Sequence, residues 1–274
     1  MLFALLPLCY QYFFALVFGL IIGSFLNVYI YRLNTGKSLA GHSHCMSCGT
    51  GLRPYELVPL FSYIFLRGRC RICGCYIPIR YFIVELFTGI LFLAAYTIAS
   101  SLLELVYLWF LLSILVVITV YDIRHFIIPD QLTVALVFIT LAWQGYLLSL
   151  GGTFYGLGNT LAAALLGAGF FYFLWFISNG RWIGFGDVKL AFPLGVMVGP
   201  VAVFSMIVFS FWIGAGVSLA LIGTAKLIGG QFRLRNRIFS LTIKSVVPFA
   251  PFLIAGSLLT LFTQINVLSF FSTI

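Results

Sequence analysis

Residues 111–130 read LLSILVVITVYDIRHFIIPD. From Leu111 to Tyr121 no charge interrupts the apolar run, and within the next nine residues come Asp122, Arg124, His125 and, directly after Pro129, Asp130. A long uncharged helix that ends in a knot of ionisable groups is the pattern of a membrane span meeting water at its end. The rest of the chain repeats it. Of 274 residues, 62% are apolar, 18% aromatic and only 8% charged, and the mean hydropathy is +1.15. A soluble domain carries about a quarter charged residues, so this composition excludes a water-soluble globule, a disordered chain, collagen and a secreted disulfide scaffold.

Working outward from residue 111, apolar stretches near 5–31, 81–100, 104–121, 131–150, 157–178, 188–200, 201–225 and 246–268 predict eight membrane segments, the sixth short. That matches the roughly eight crossings of about 20 residues that the length permits. The expected fold is all-α and polytopic, with three parts: a first transmembrane helix (1–31), a loop (32–80) long enough to fold by itself, and a transmembrane core (81–274). The first stretch has no preceding Lys or Arg and no cleavage pattern, so it reads as a retained span.

If the N-terminus lies outside, the connections 32–80, 122–130, 179–189 and 226–245 face the cytoplasm, and all fifteen Lys and Arg fall within them. Arg32, Lys37, Arg53, Arg67, Arg69, Arg71 and Arg80 are in or at the end of the first, Arg124 in the second, Arg181 and Lys189 in the third. Lys226, Arg233, Arg235, Arg237 and Lys244 are in the fourth. The positive-inside rule therefore predicts both termini outside, and it accounts for the net charge of +9 without a nucleic-acid partner, the bilayer being the partner instead.

The loop contains Cys45-Met46-Ser47-Cys48-Gly49 and Cys70-Arg71-Ile72-Cys73-Gly74. Two Cys-x2-Cys pairs at this interval present four thiolates to one tetrahedral zinc ion, and a small loop with little core needs such a staple. Two disulfides or a redox pair are the competing reading, disfavoured in a reducing cytosol. Cys75 and Cys9 fall outside the pattern. His42 and His44 flank the first pair, as solvated side chains or as substitute ligands. With four thiolates the metal is structural.

The chain has only three Asp, at 122, 130 and 187, each at the predicted cytoplasmic end of a span. Ionisable groups at membrane depth are costly and mark function. Asp187 closes Gly184-Phe185-Gly186-Asp187 and is followed by Val188-Lys189; without Cβ atoms, Gly184 and Gly186 let the backbone approach a neighbouring helix or an extended substrate. Two carboxylates brought close share one proton. The charged member then acts as base toward water and the protonated one polarises a carbonyl, which is aspartyl protease chemistry. On residue type alone, interfacial solvation or pairing with Arg124 and Lys189 competes for Asp122 and Asp187. Asp130 reads first as an N-cap of the fourth span, and Lys189 either supports the site or snorkels.

The order of these elements resembles the type IV prepilin peptidases, bifunctional leader peptidases and N-methyltransferases of bacterial inner membranes. The resemblance covers nearly the whole chain: Gly23-Ser24-Phe25-Leu26-Asn27-Val28 with Arg32, the double Cys pair, Leu66-Arg67-Gly68-Arg69-Cys70-Arg71, Arg80-Tyr81 with Val84-Glu85-Leu86, the Asp122 to Pro129-Asp130 element, and Gly184-x-Gly186-Asp187-x-Lys189. Departures are Met46 and Phe82, where relatives often have Pro. The resemblance implies that Asp122 and Asp187 are the catalytic pair. It also implies cleavage of prepilin or pseudopilin precursors after the Gly that ends a short leader, followed by methylation of the new amino group from S-adenosylmethionine. Gly68 and Arg69 are motif positions open to contacting donor or acceptor, or to shaping the zinc turn; Glu85 is open to binding the amine or to pairing with Arg80. No Gly-x-Gly-x-x-Gly fingerprint is present, which leaves the loop and adjoining helix ends for the donor. Two other classes compete: a proton-coupled transporter, which calls for inverted repeats that are not seen, and a noncatalytic pilin assembly factor.

Overall fold

The computed structural model describes residues 7–36, 38, 41–227, 232–234, 237–239 and 247–267. Lys37, Arg235 and Lys244, three of the predicted cytoplasmic basic residues, lie outside the described residues, as do the outer edges of the first and last predicted segments. Each of the eight apolar stretches is a helix: α1 (Leu8–Arg32), α3 (Arg80–Ile98), α4 (Leu102–His125), α5 (Asp130–Ser149), α6 (Phe154–Ile177), α7 (Phe185–Val198), α8 (Val203–Leu227) and α9 (Ala250–Thr263). A ninth, α2, is one short turn at Phe61–Phe65. Six of them (α1, α3, α4, α5, α6 and α8) are long and apolar enough to cross a membrane. Large side chains such as Phe13, Phe138, Phe154 and Leu166 project outward from these helices, the inside-out arrangement of a membrane protein. At 1.5 Å per residue the 14-residue α7 and α9 span only about 21 Å, short of a ~30 Å hydrocarbon core.

The chain forms two compact units, Met1–Val117 and Ile118–Ile274, with the boundary inside α4. In the first, α1 and α3 pack along a seam of small residues. A Cβ at Gly19 would stand 2.9 Å from Gly89 Cα, and one at Gly23 would stand 2.8 Å from Glu85 Cα. Glycines four apart thus remove the side chains that would hold the backbones apart, the close-packing device of membrane helices. Trp109, on the first half of α4, lies parallel to the Phe92 ring at 5.1 Å and donates its indole N–H to Phe92 O at 3.1 Å. The cysteine loop is an insertion between α1 and α3.

In the second unit α7 is the centre, packed against α5, α6, α8 and α9. Asp187, Val188, Leu190, Ala191, Pro193, Leu194, Gly195 and Val196 are buried on all its faces, as expected of a helix apolar all round. Because neighbours rather than lipid cover it, its shortness is tolerable. Gly195 allows α6 within 2.8 Å of the position a Cβ would take, at Ala164 Cα. A two-stranded antiparallel ribbon, β1 (Phe232–Leu234) with β2 (Arg237–Phe239), pairs Phe232 with Phe239 in the segment after α8. Hydropathy reading of an all-helical chain did not anticipate it, since three-residue strands carry too few side chains to show a period.

Candidate active site

Asp122 lies in the last turn of α4 and Asp187 in the first turn of α7. Both are buried, 5% and 6% exposed, and the two carboxylates are close enough to interact electrostatically. Local geometry brings them together. After Asp122 the chain leaves α4 through Phe126, in the left-handed region at φ 56° with its N–H on Asp122 O at 2.8 Å. It then runs as Ile127-Ile128-Pro129 into α5. A Cβ at Gly186 would meet Ile128 at 3.1–3.3 Å, so the glycine is what admits this connector against the start of α7.

A helix N-terminus holds Asp187, and a second lies toward Asp122. Asp187 Oδ2 accepts the Gly184 N–H at 3.1 Å, the N3 acid satisfying one of its own helix's orphan donors. The Ala250 N–H, at the start of α9, reaches the Asp122 carboxylate. Two helix dipoles therefore place partial positive charge where anions must persist in an apolar unit. Sequence reasoning missed Ala250, because a backbone donor leaves no residue signature; the signal was Val247-Pro248-Phe249-Ala250-Pro251, proline at a helix start.

Asp130 does not cap α5. Pro129 occupies the N-cap without a side-chain bond, and the Asp130 carboxylate instead pairs with Lys189, whose ammonium also stands 5.4 Å from the centre of the Phe185 ring. Lys189 thus joins α5 to α7 rather than neutralising Asp187. Gly184 stays extended (ψ 150°) to start the helix.

In the first unit, the Sγ atoms of Cys45, Cys48, Cys70 and Cys73 all lie within 4.8 Å of one another. The two halves of the cluster are alike. Gly49 and Gly74 donate to Cys45 O and Cys70 O at 2.9 Å, both at φ near +70°, which glycine adopts without strain; the bridges His44–Gly51 and Arg69–Tyr76 close each turn. Tetrahedral zinc with Zn–S of about 2.3 Å calls for sulfurs about 3.8 Å apart, and Cys45 and Cys73 are 3.8 Å apart. The Thr50 side chain, then its backbone N–H, lowers the Cys48 thiol to about 6, toward the thiolate a metal requires. Cys75, outside the Cys-x2-Cys pattern, brings its sulfur within 3.4 Å of Cys45. The histidines remain loop side chains, His44 Nδ1 lying 3.4 Å from His42 O.

Beside this cluster is a cavity of about 770 Å³, walled by the loop and the adjoining ends of α1 and α3. Glu85, Asn27, Tyr31, Tyr63, Tyr81 and Phe82 are among its lining residues. Gly68 and Arg69 are not. Gly68 turns the chain at φ +66°, where a Cβ would meet the Tyr63 hydroxyl at 2.9 Å, and Arg69 belongs to the second cysteine turn. Glu85 Oε2 accepts the Leu60 N–H at 2.9 Å, and among the described residues no ion pair joins it to Arg80.

Two family models match the chain: Bacterial Peptidase A24 N-terminal domain over residues 17–99 and Type IV leader peptidase family over residues 109–219. The chain is 33% identical to the prepilin leader peptidase/N-methyltransferase of Burkholderia pseudomallei (strain 1026b) over 95% of its length and 88% of the relative's. It is 32% identical to the protein of the same name in Bacillus subtilis (strain 168), with 93% and 95% covered. A third relative of that name, from Pectobacterium carotovorum subsp. carotovorum, is 33% identical over 77% of this chain and 83% of its own. No solved structure matches.

Proposed function

The chain belongs to the type IV leader peptidase family, and from that premise we propose how its residues divide the work: Asp122 and Asp187 remove the leader of prepilin or pseudopilin precursors, and the first unit methylates the amino group so exposed. The observation that carries the peptidase assignment is the pair of buried carboxylates at facing ends of α4 and α7, with Asp187 held by the Gly184 N–H. One proton shared between them leaves one carboxylate to take a proton from water while the other, protonated, donates to the scissile carbonyl oxygen. The hydroxide equivalent adds to the carbonyl carbon; collapse then expels the amine, which recovers its proton from the pair. The scissile bond follows a short leader on a membrane helix, so it lies at the cytoplasmic interface, the level that the basic residues assign to both aspartates. A helical peptide bond is shielded, and the Gly at the cut site eases local unwinding.

The thiol geometry supports structural zinc held by Cys45, Cys48, Cys70 and Cys73, with no open position for water. The cavity beside it has the volume of a small-molecule site. Its rings at Tyr31, Tyr81 and Phe82 suit an adenine face, and Glu85 and Asn27 suit polar groups. There S-adenosylmethionine would supply an electrophilic methyl group to the new N-terminus. The setting we infer is the bacterial inner membrane, with both termini outside and both sites cytoplasmic.

The test is the purified protein, precursor and mass spectrometry. Asp122→Asn and Asp187→Asn each abolish leader removal while precursor binding persists; full-rate cleavage by either variant sinks the assignment, and a transporter or assembly factor would show no cleavage at all.

A further inference from the structure

Glu85 stands in the cavity wall under unusual constraint. Its backbone is where Gly23 brings α1 to within 2.8 Å of a Cβ position, and the Ser24 hydroxyl of that same turn reaches its carboxylate. The other donor is the N–H of Leu60, a non-glycine residue at φ 60°, ψ −50°. With Phe61 N–H on Pro59 O at 2.6 Å, Pro59-Leu60-Phe61 is a γ-turn of the rare, strained kind. Strain of this type persists only where the surroundings over-determine it, and it gathers at sites of function. Here it aims a backbone donor at one carboxylate.

Among the described residues that carboxylate has no ion-pair partner. Three arginines share the cavity lining, Arg32, Arg71 and Arg80, and each is engaged elsewhere. Arg71 pairs with Glu56 at 2.8 Å, Arg32 donates to Ser38 O at 2.7 Å, and Arg80 lies 5.1 Å from the centre of the Tyr81 ring. Among the described residues the ion pairs are Arg71–Glu56 and Lys189–Asp130, and Glu85 is in neither. A carboxylate offers about four acceptor positions; Leu60 and Ser24 orient it and leave positions facing the cavity.

We propose that Glu85 is an amine-binding residue that receives an α-ammonium group entering this cavity. The inference rests on the methyl-transfer reading, in which such a group comes from either of two molecules: the new N-terminus of the cleaved precursor or the amino-acid end of the methyl donor. Both present the same chemistry, a primary ammonium beside a reacting centre, and a half-buried carboxylate recognises it by a charge-assisted hydrogen bond.

The experiment measures binding to the full-length protein in detergent, using two ligand pairs. One is a synthetic mature-pilin N-terminal peptide with a free or an acetylated amine; the other is S-adenosylhomocysteine or its analogue lacking the amino group. The wild type prefers the free amine by about tenfold or more in at least one pair, the size of a hydrogen bond to a charged group, and Glu85→Gln erases that preference. Loss in the peptide pair identifies the acceptor, loss in the nucleoside pair the donor. No preference in the wild type, or a preference that survives Glu85→Gln in both pairs, overturns the proposal. Metal content and leader removal report whether the variant is folded; should it fail, Ser24→Ala, which removes one orienting hydroxyl, weakens the preference several-fold instead. Methyl transfer by the wild type is scored separately. Its absence refutes the methyl-transfer reading, whereas transfer together with unchanged amine preference in Glu85→Gln refutes the role of Glu85 alone.

Discussion

Gly186 is the position at which the peptidase geometry is most exposed to a single atom. A methyl group there meets Ile128 Cδ1, Cβ and Cγ1 at 3.1, 3.2 and 3.3 Å, where ordinary contact begins at 3.4 Å. Alanine therefore requires the connector and the start of α7 to part by about 0.3 Å, and valine, whose methyls extend ~1.5 Å further, by more than about 1 Å. A displacement near 1 Å at a reacting centre costs about a hundredfold in rate. On that scale Gly186→Ala slows leader removal about fourfold and Gly186→Val at least about a hundredfold. Helix propensity does not cancel the effect, because alanine favours the helix by up to ~1 kcal/mol over glycine and so leaves the protein no less folded. The assay is single-turnover cleavage of a precursor at saturating enzyme, which isolates the chemical step. Ile128→Ala, by removing two of the three contacting atoms, recovers part of the lost rate in the double variant. Wild-type cleavage by Gly186→Val would show that the connector does not set the distance between the aspartates.

Three other perturbations test other parts of the molecule. Cys48→Ser lowers bound zinc well below one ion per chain, read by elemental mass spectrometry, and unaltered metal would count against the four-thiolate site. Gly23→Val places a side chain against the Glu85 backbone, 2.8 Å from its Cα at Cβ; overpacking of this kind costs about 1–3 kcal/mol, seen as a lowered unfolding midpoint in detergent, and an unchanged midpoint would contradict the close α1–α3 seam. The Arg53 N–H and then the Arg71 guanidinium hold Glu56 below the ordinary carboxylate range, so its contribution is complete above pH 4.5 and fades as pH falls through the lowered folded value. The extra protease resistance of the wild-type loop over Glu56→Gln should accordingly be present at neutral pH and vanish in acid; a difference that grows in acid reverses the sign.

The eight helices were legible because each is a long run of apolar residues, α7 included although neighbours enclose it, and the predicted ends lie within a few residues of the helix ends. Scarcity made Asp122 and Asp187 candidates, and the family resemblance singled them out from Asp130; the structure finds both buried. The four cysteines were legible from spacing alone. What could not be read were pairings set by tertiary packing. For Lys189 the sequence left support of the site, pairing with Asp187 and snorkelling open, and it reaches Asp130, 59 positions distant. Asp130 itself lost its expected capping role because Pro129, whose φ is already suitable, takes that position. Ala250 and Leu60 act through backbone N–H groups, which every residue but proline possesses, so no side-chain pattern marks them. Glu85 was visible as an acid near a span's start, but that no described cation pairs with it emerges only when the three cavity arginines are seen engaged.

The encasement of α7 bears on how the protein meets its surroundings. A helix in contact with acyl chains must match their length by tilting, bending or deforming the bilayer. One surrounded by α5, α6, α8 and α9 is released from that obligation, and hydrophobic mismatch falls on the outer helices instead. A cell that remodels its fatty acids with temperature would then shift the perimeter of this protein while the carboxylate at the head of α7 keeps its place relative to the helices that enclose it.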